Sequence, residues 1–131
     1  MARRVFLGID FGDSRVGLAL APGDSIAVPY SIVRYGDGFW QKLGTILADE
    51  KITDIVVGLP FGLSGNETER TRKTRDFIAS LRGHTALPVV ESDERFSSLV
   101  ARRNLPKGPD DALAAAEILQ GYLDAHARSP E

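Results

Sequence analysis

Three acidic positions stand where their residue types could do chemistry: Asp10, the run Asp93-Glu94-Arg95, and Asp111. Asp10 closes a short apolar run that begins at Val5. Asp93 and Glu94 follow a second such run, Leu87 to Glu91. In a parallel α/β sheet, ligands gather at the carboxyl ends of the strands, so these acids are expected on one edge of the sheet. Asp111 opens a helical pattern, and the residues at i+4, i+7 and i+11 are Ala115, Ile118 and Tyr122. That face turns toward the protein, and a carboxylate turned inward needs a partner. Separated acids meeting at one point suit a hard divalent cation held by oxygen. Two such ions about 3.5–4 Å apart activate a water and stabilise a leaving alkoxide in phosphodiester hydrolysis. Each acid also has a structural reading. Asp10 can cap the turn before Ser14, Asp93 or Glu94 can pair with Arg95, and Asp111 can be a first-turn charge beside a capping Asp110.

Competing chemistries find less support. There is no cysteine, which excludes disulfides, thiolate zinc sites and cysteine nucleophiles. His84 and His126 read as a loop and a tail residue, with no acid or nucleophile at suggestive spacing. Ser64 lies in Gly62-Leu63-Ser64-Gly65, which is not a Gly-x-Ser-x-Gly elbow. Asp10 stands at the middle glycine of what would be a dinucleotide fingerprint, and no P-loop motif is present. The Gly8 to Gly17 hairpin is similar to the opening of actin-like and sugar-kinase ATPases. Those need two lobes, which 131 residues cannot supply.

Net charge is −2, from 16 basic and 18 acidic residues. A polyanion must therefore be bound through local patches. Arg70, Arg72, Lys73 and Arg75 form one, and Arg102, Arg103 and Lys107 another. Either can contact phosphates; the alternative for the first is a solvated helix face.

The elements that position these residues follow from periodicity. Runs over 5–10, 15–21 and 25–34 predict three antiparallel strands, with Pro29 pushing the third to an edge. Phe39, Trp40, Leu43, Ile46 and Leu47 predict a core-facing helix over 38–50. Residues 53–59 read as a central strand and 87–91 as a fifth. A helix over 67–82 lies between them, with Asn66 and Glu69 as a capping pair and Gly83 as its stop. Residues 97–104 read as a short helix and 111–127 as the last one. The order βββαβαβα makes the first, fourth and fifth strands parallel. This is an α/β fold: a mixed five-stranded sheet with helices on both faces, forming one domain over 1–131. Hydrophobic residues are 43% and charged residues 26%, a globular balance. No apolar run approaches the roughly 20 residues of a membrane span. The stretch after Met1 meets an aspartate too soon for a signal peptide, which with the missing cysteines fits a cytoplasmic location.

Taken together, GIDFGDSRVGLAL at 8–20, IVVGLP at 55–60 with Gly65 following, DERFSS at 93–98, and Lys107, Asp111 and AAEILQGYLD at 115–124 resemble the YqgF family, also called RuvX. The family comprises pre-16S rRNA nucleases and Holliday-junction-resolvase-like proteins with an RNase H-like fold. The resemblance covers nearly the whole chain. It implies Asp10, Glu94 and Asp111 as catalytic acids that bind Mg²⁺ or Mn²⁺, with Asp93 as the alternative ligand to Glu94. It implies that Lys107 or Arg15 holds a phosphate oxygen, and that Arg95 and Gly65 face the substrate; Arg72 and Arg75, from the first basic group, are expected to join them on charge alone. The implied activity is trimming of precursor 16S rRNA in the cytoplasm, by a monomer or homodimer. The alternatives are a resolvase of branched DNA and a non-catalytic nucleic-acid-binding domain of the same fold; precursor rRNA is the favoured partner, with branched or single-stranded DNA as the other. The chain departs from the family where Ser64-Gly65 replaces Asp-Gly, where Phe96-Ser97 replaces Leu-Thr, and in a short stretch between Asn104 and Lys107.

Overall fold

The computed structural model describes residues 3–23, 26–94 and 111–127. The strands are β1 (Val5–Phe11), β2 (Arg15–Pro22), β3 (Val28–Arg34), β4 (Asp54–Leu59) and β5 (Val89–Asp93). The helices among the described residues are α1 (Phe39–Asp49), α2 (Glu69–His84) and α3 (Asp111–Ala127). The sheet order is β3-β2-β1-β4-β5. β1, β2 and β3 form an antiparallel meander, while β1, β4 and β5 run parallel. This is the mixed sheet that the element order predicts, and β3, which contains Pro29, is at its edge.

Strand alternation divides the core between two faces. Leu7, Ile9, Leu18, Ile55 and Val57 meet Phe39 and Leu43 of α1 and Phe77, Ile78 and Leu81 of α2. Phe6, Ala19, Ala21 and Val56 meet Ala115, Ile118, Leu119 and Leu123 of α3. The second face is lined by small residues, which lets α3 approach closely. A β-carbon on Gly8 would lie 2.7 Å from Leu119 Cβ and 2.9 Å from the Ala115 carbonyl oxygen.

Several boundaries differ from the sequence expectation. The cap of α2 is Thr68, not Asn66. Thr68 Oγ1 accepts from the Thr71 amide, and Thr71 Oγ1 accepts from the Thr68 amide at 3.0 Å. Asn66 instead closes the preceding loop, its carbonyl accepting from Gly62 N at 2.8 Å. Gly83 does not stop α2, because packing carries the helix one residue further. The His84 ring stacks on Trp40 with centroids 4.0 Å apart, so His84 ends a helix rather than lying in a loop. His126 likewise lies in α3, stacked on Tyr122. β5 starts at Val89, two residues later than expected. Pro88 has no amide to give to the ladder, though its carbonyl accepts from Ile55 N at 2.9 Å. The expected helix over 97–104 and the capping Asp110 lie outside the described residues.

Candidate active site

β5 runs through Asp93, and its register with β4 decides where the acids point. Asp93 is the last residue of the strand and is paired with Leu59, whose side chain lies in the α1/α2 core. Residues paired across a ladder share a face, so Asp93 belongs to that side. Glu94, one residue on, is 3% exposed, and a β-carbon on Gly58 would lie 2.9 Å from its Oε2. Gly58 follows Val57, the partner of Ile9, so it stands beside Asp10 on the neighbouring strand. Adjacent strands are about 4.8 Å apart. Asp10 is 5% exposed and on the α3 side of β1, as the alternation from Phe6 requires.

Asp111 reaches the same row from the other direction. Gly17 is the antiparallel partner of Asp10. A β-carbon on Gly17 would run into the Asp111 carbonyl and lie 3.0 Å from Ala112 N. The first turn of α3 therefore rests on β2 next to Asp10. The Asp111 side chain is 13% exposed, and its Oδ2 lies 3.1 Å from Arg15 Nε. Among the described residues, no three acidic or histidine side chains are grouped to hold one metal ion. The fold thus brings the three acid-bearing elements to one row, with Asp10 and Glu94 buried there and the Asp111 carboxylate held by Arg15.

The remaining candidates lie apart from this row. Gly65 sits in the loop after β4 with φ 89°, a left-handed conformation suited to glycine, and its amide donates to Gly62 O at 2.8 Å. Arg72 and Arg75 are on α2, which packs on the opposite face of the sheet. Arg75 is engaged: its guanidinium lies 3.0 Å from Glu67 and 3.8 Å from Glu91, and near the Phe61 ring. Arg72 is exposed and makes no ion pair among the described residues. Lys107 and Arg95 lie outside the described residues. Sequence reasoning gave no role to Gly17 or Gly58. The available signal was a glycine inside a strand, which often marks close approach by another group.

A sequence model of the RuvX family, described as Holliday junction resolvase, matches residues 4–125. The chain belongs to the RuvX family. Its relatives there include a "Putative pre-16S rRNA nuclease" of Maridesulfovibrio salexigens, 44% identical over 129 residues that cover 89% of this chain and 96% of that protein. A protein of the same description from Sulfurihydrogenibium is 34% identical over 128 residues, covering 90% and 88%. Among solved structures, Thermus thermophilus RuvC superposes with a TM-score of 0.56 at 16% identity, covering 94% of this chain and 96% of that one. That likeness concerns the fold, the RNase H-like arrangement that the resemblance implied. This RuvX chain is accordingly a member of a nuclease family, with its acids at the carboxyl edge of an RNase H-like sheet.

Proposed function

We propose that the chain hydrolyses phosphodiester bonds of precursor 16S rRNA in the cytoplasm, using Mg²⁺ or Mn²⁺. The observation that carries this reading is the pair of buried carboxylates, Asp10 near the end of β1 and Glu94 just after β5, with Glu94 Oε2 lying over Gly58, the neighbour of Asp10 on β4. Burying two like charges together costs stability, and such a cost is characteristic of functional sites. The names of the relatives support the choice of substrate.

The donor chemistry fits a hard cation, since both buried groups offer carboxylate oxygens and no thiolate is available. Asp10 and Glu94 would hold the cation, with Asp111 as the third ligand once its carboxylate exchanges Arg15 for the metal. A bound divalent cation supplies positive charge at the cleaved phosphate and lowers the pKa of the attacking water. Register favours Glu94 over Asp93, because Asp93 shares the other face with Leu59. Arg15 and Lys107 bind non-bridging phosphate oxygens and so align the scissile bond. Exposed Arg72 holds the flanking backbone.

The test is cleavage of a precursor-rRNA 5′ fragment by wild type, Asp10→Asn and Glu94→Gln. Both variants should lose activity by orders of magnitude while remaining folded. Wild-type rates in either variant would refute its assignment.

A further inference from the structure

Asp10 stands between two glycines in one row across the sheet, Gly17 on β2 and Gly58 on β4, and all three positions face α3. The two glycines make room for different things. A β-carbon on Gly58 would lie 2.9 Å from Glu94 Oε2, 2.5 Å from Ile118 Cδ1 and 2.9 Å from Ile118 Cγ1. Each is well inside the roughly 3.5–4.0 Å of ordinary contact. A β-carbon on Gly17 would meet the backbone of Asp111, which cannot retreat without moving the first turn of α3. Gly8, in the same face of β1, provides a contrast. The three atoms nearest its β-carbon would all belong to Leu119 and Ala115 of α3. Close helix packing therefore explains Gly8, but it does not account for a carboxylate oxygen resting over Gly58.

We infer that Gly58 is a positioning residue for the metal-binding carboxylate of Glu94: the missing side chain is the seat that holds that carboxylate beside Asp10. Gly17 does the same for the first turn of α3 and hence for Asp111. The inference rests on the reading of Glu94 as a catalytic acid. A methyl group at position 58 would push the carboxylate away from Asp10 and toward solvent. The loss would fall on turnover and cation binding rather than on substrate affinity. A shorter acid at position 94 would be drawn back by one methylene and would relieve the clash.

The test separates the carboxylate from Ile118. Ile118→Ala removes the atoms that a β-carbon at position 58 would strike on the helix. Gly58→Ala is then added in that background, and Glu94→Asp is combined with each. Readouts are kcat and KM on a precursor-rRNA 5′ fragment, Tm, and the rise of Tm with Mn²⁺. Relative to Ile118→Ala, the Gly58→Ala/Ile118→Ala protein should lose at least tenfold in kcat, keep KM within about threefold, and need more Mn²⁺ for the same rise in Tm. Glu94→Asp should lower kcat where Gly58 is retained and raise it where Gly58→Ala is present. Equal kcat and Mn²⁺ response with and without the β-carbon, or an equal Glu94→Asp effect in both backgrounds, would overturn the inference. If Ile118→Ala is too unstable, Ile118→Val removes Cδ1, the nearest atom at 2.5 Å, and because Cγ1 remains, the reversed sign of the Glu94→Asp effect, not the Gly58→Ala loss alone, is then the deciding readout. Glu94→Gln distinguishes the two levels. Wild-type activity in that variant would refute the catalytic reading itself. An inactive Glu94→Gln beside a fully active Gly58→Ala/Ile118→Ala would refute the seat alone.

Discussion

Arg15 Nε and Asp111 Oδ2 are 3.1 Å apart, so one ion pair ties the first residue of β2 to the first residue of α3. The arginine is 54% exposed and the acid 13%, so the pair is wet on one side and shielded on the other. Such a pair contributes about 0–1 kcal/mol, and added salt weakens it. Arg15→Ala should therefore lower Tm by no more than a few degrees, with a smaller loss at high salt. Because Arg15 is also proposed to bind a phosphate, KM for the nucleic acid should rise more than kcat falls. Melting curves at two salt concentrations and steady-state kinetics check both parts.

Asp10→Asn keeps the shape of a buried side chain and removes its charge. Hydrolysis should fall by orders of magnitude. Without metal, the variant should be as stable as wild type or more so, by about 1 kcal/mol, because repulsion from Glu94 is gone. Adding Mn²⁺ should stabilise wild type by mass action and the variant much less. Melts of both proteins with and without metal decide it. A variant that melts lower in every buffer, with the same metal increment, would make Asp10 a turn cap.

Arg72 and Arg75 should separate. Arg72 is exposed and without an ion pair among the described residues, so Arg72→Ala should weaken nucleic-acid binding and flatten the salt dependence by about one log-log unit. Arg75 ties α2 to Glu67 and to Glu91 of β5. Arg75→Ala should instead lower Tm, with a smaller change in the salt slope. Binding titrations over a range of salt check the first, and thermal melts the second.

At the far end of the same strands, Arg4 holds Asp54 with Nη2 to Oδ2 at 2.8 Å, and Thr53 Oγ1 donates to Asp54 Oδ1 at 2.7 Å. Partial burial works to raise the Asp54 pKa, but these hydrogen bonds outweigh it and leave the carboxyl below its ordinary value. A folded-state pKa that is lowered contributes stability above the unfolded value of about 3.9, and that stability is lost as pH falls through the folded value. Asp54→Asn should cost about 1 kcal/mol at pH 7, and the difference should close as pH falls below about 4. Urea melts across pH check it.

The sheet was legible because its constraints are local. The β1 run VFLGIDF is buried on both faces, and the helices that follow it force parallel crossovers. The end of α2 was not legible, because the ring of His84 on Trp40 is a tertiary contact that Gly83 does not signal. Thr68 rather than Asn66 caps α2 because a threonine pair, Thr68 and Thr71, plays the part usually signalled by a glutamate. At the site, Asp10 was legible from its place at the end of a strand. The choice between Asp93 and Glu94 was not, since the pairing of Asp93 with Leu59 on β4, a contact between distant residues, sets which of them turns to α3. The Arg15–Asp111 pair joins residues far apart in the chain, and nothing in their spacing announces it.

Buried carboxylates at the edge of this sheet are proposed to cut precursor rRNA with a divalent cation. The most direct test is to offer a precursor 16S rRNA 5′ fragment and a four-way DNA junction side by side to wild type and Glu94→Gln, with Mg²⁺, with Mn²⁺ and with chelator. Wild type with metal should cleave the rRNA fragment and cut the junction little, and neither Glu94→Gln nor wild type with chelator should cleave the rRNA. Cleavage of the junction in preference to the rRNA, or rRNA cleavage that survives Glu94→Gln or chelation, would contradict that proposal.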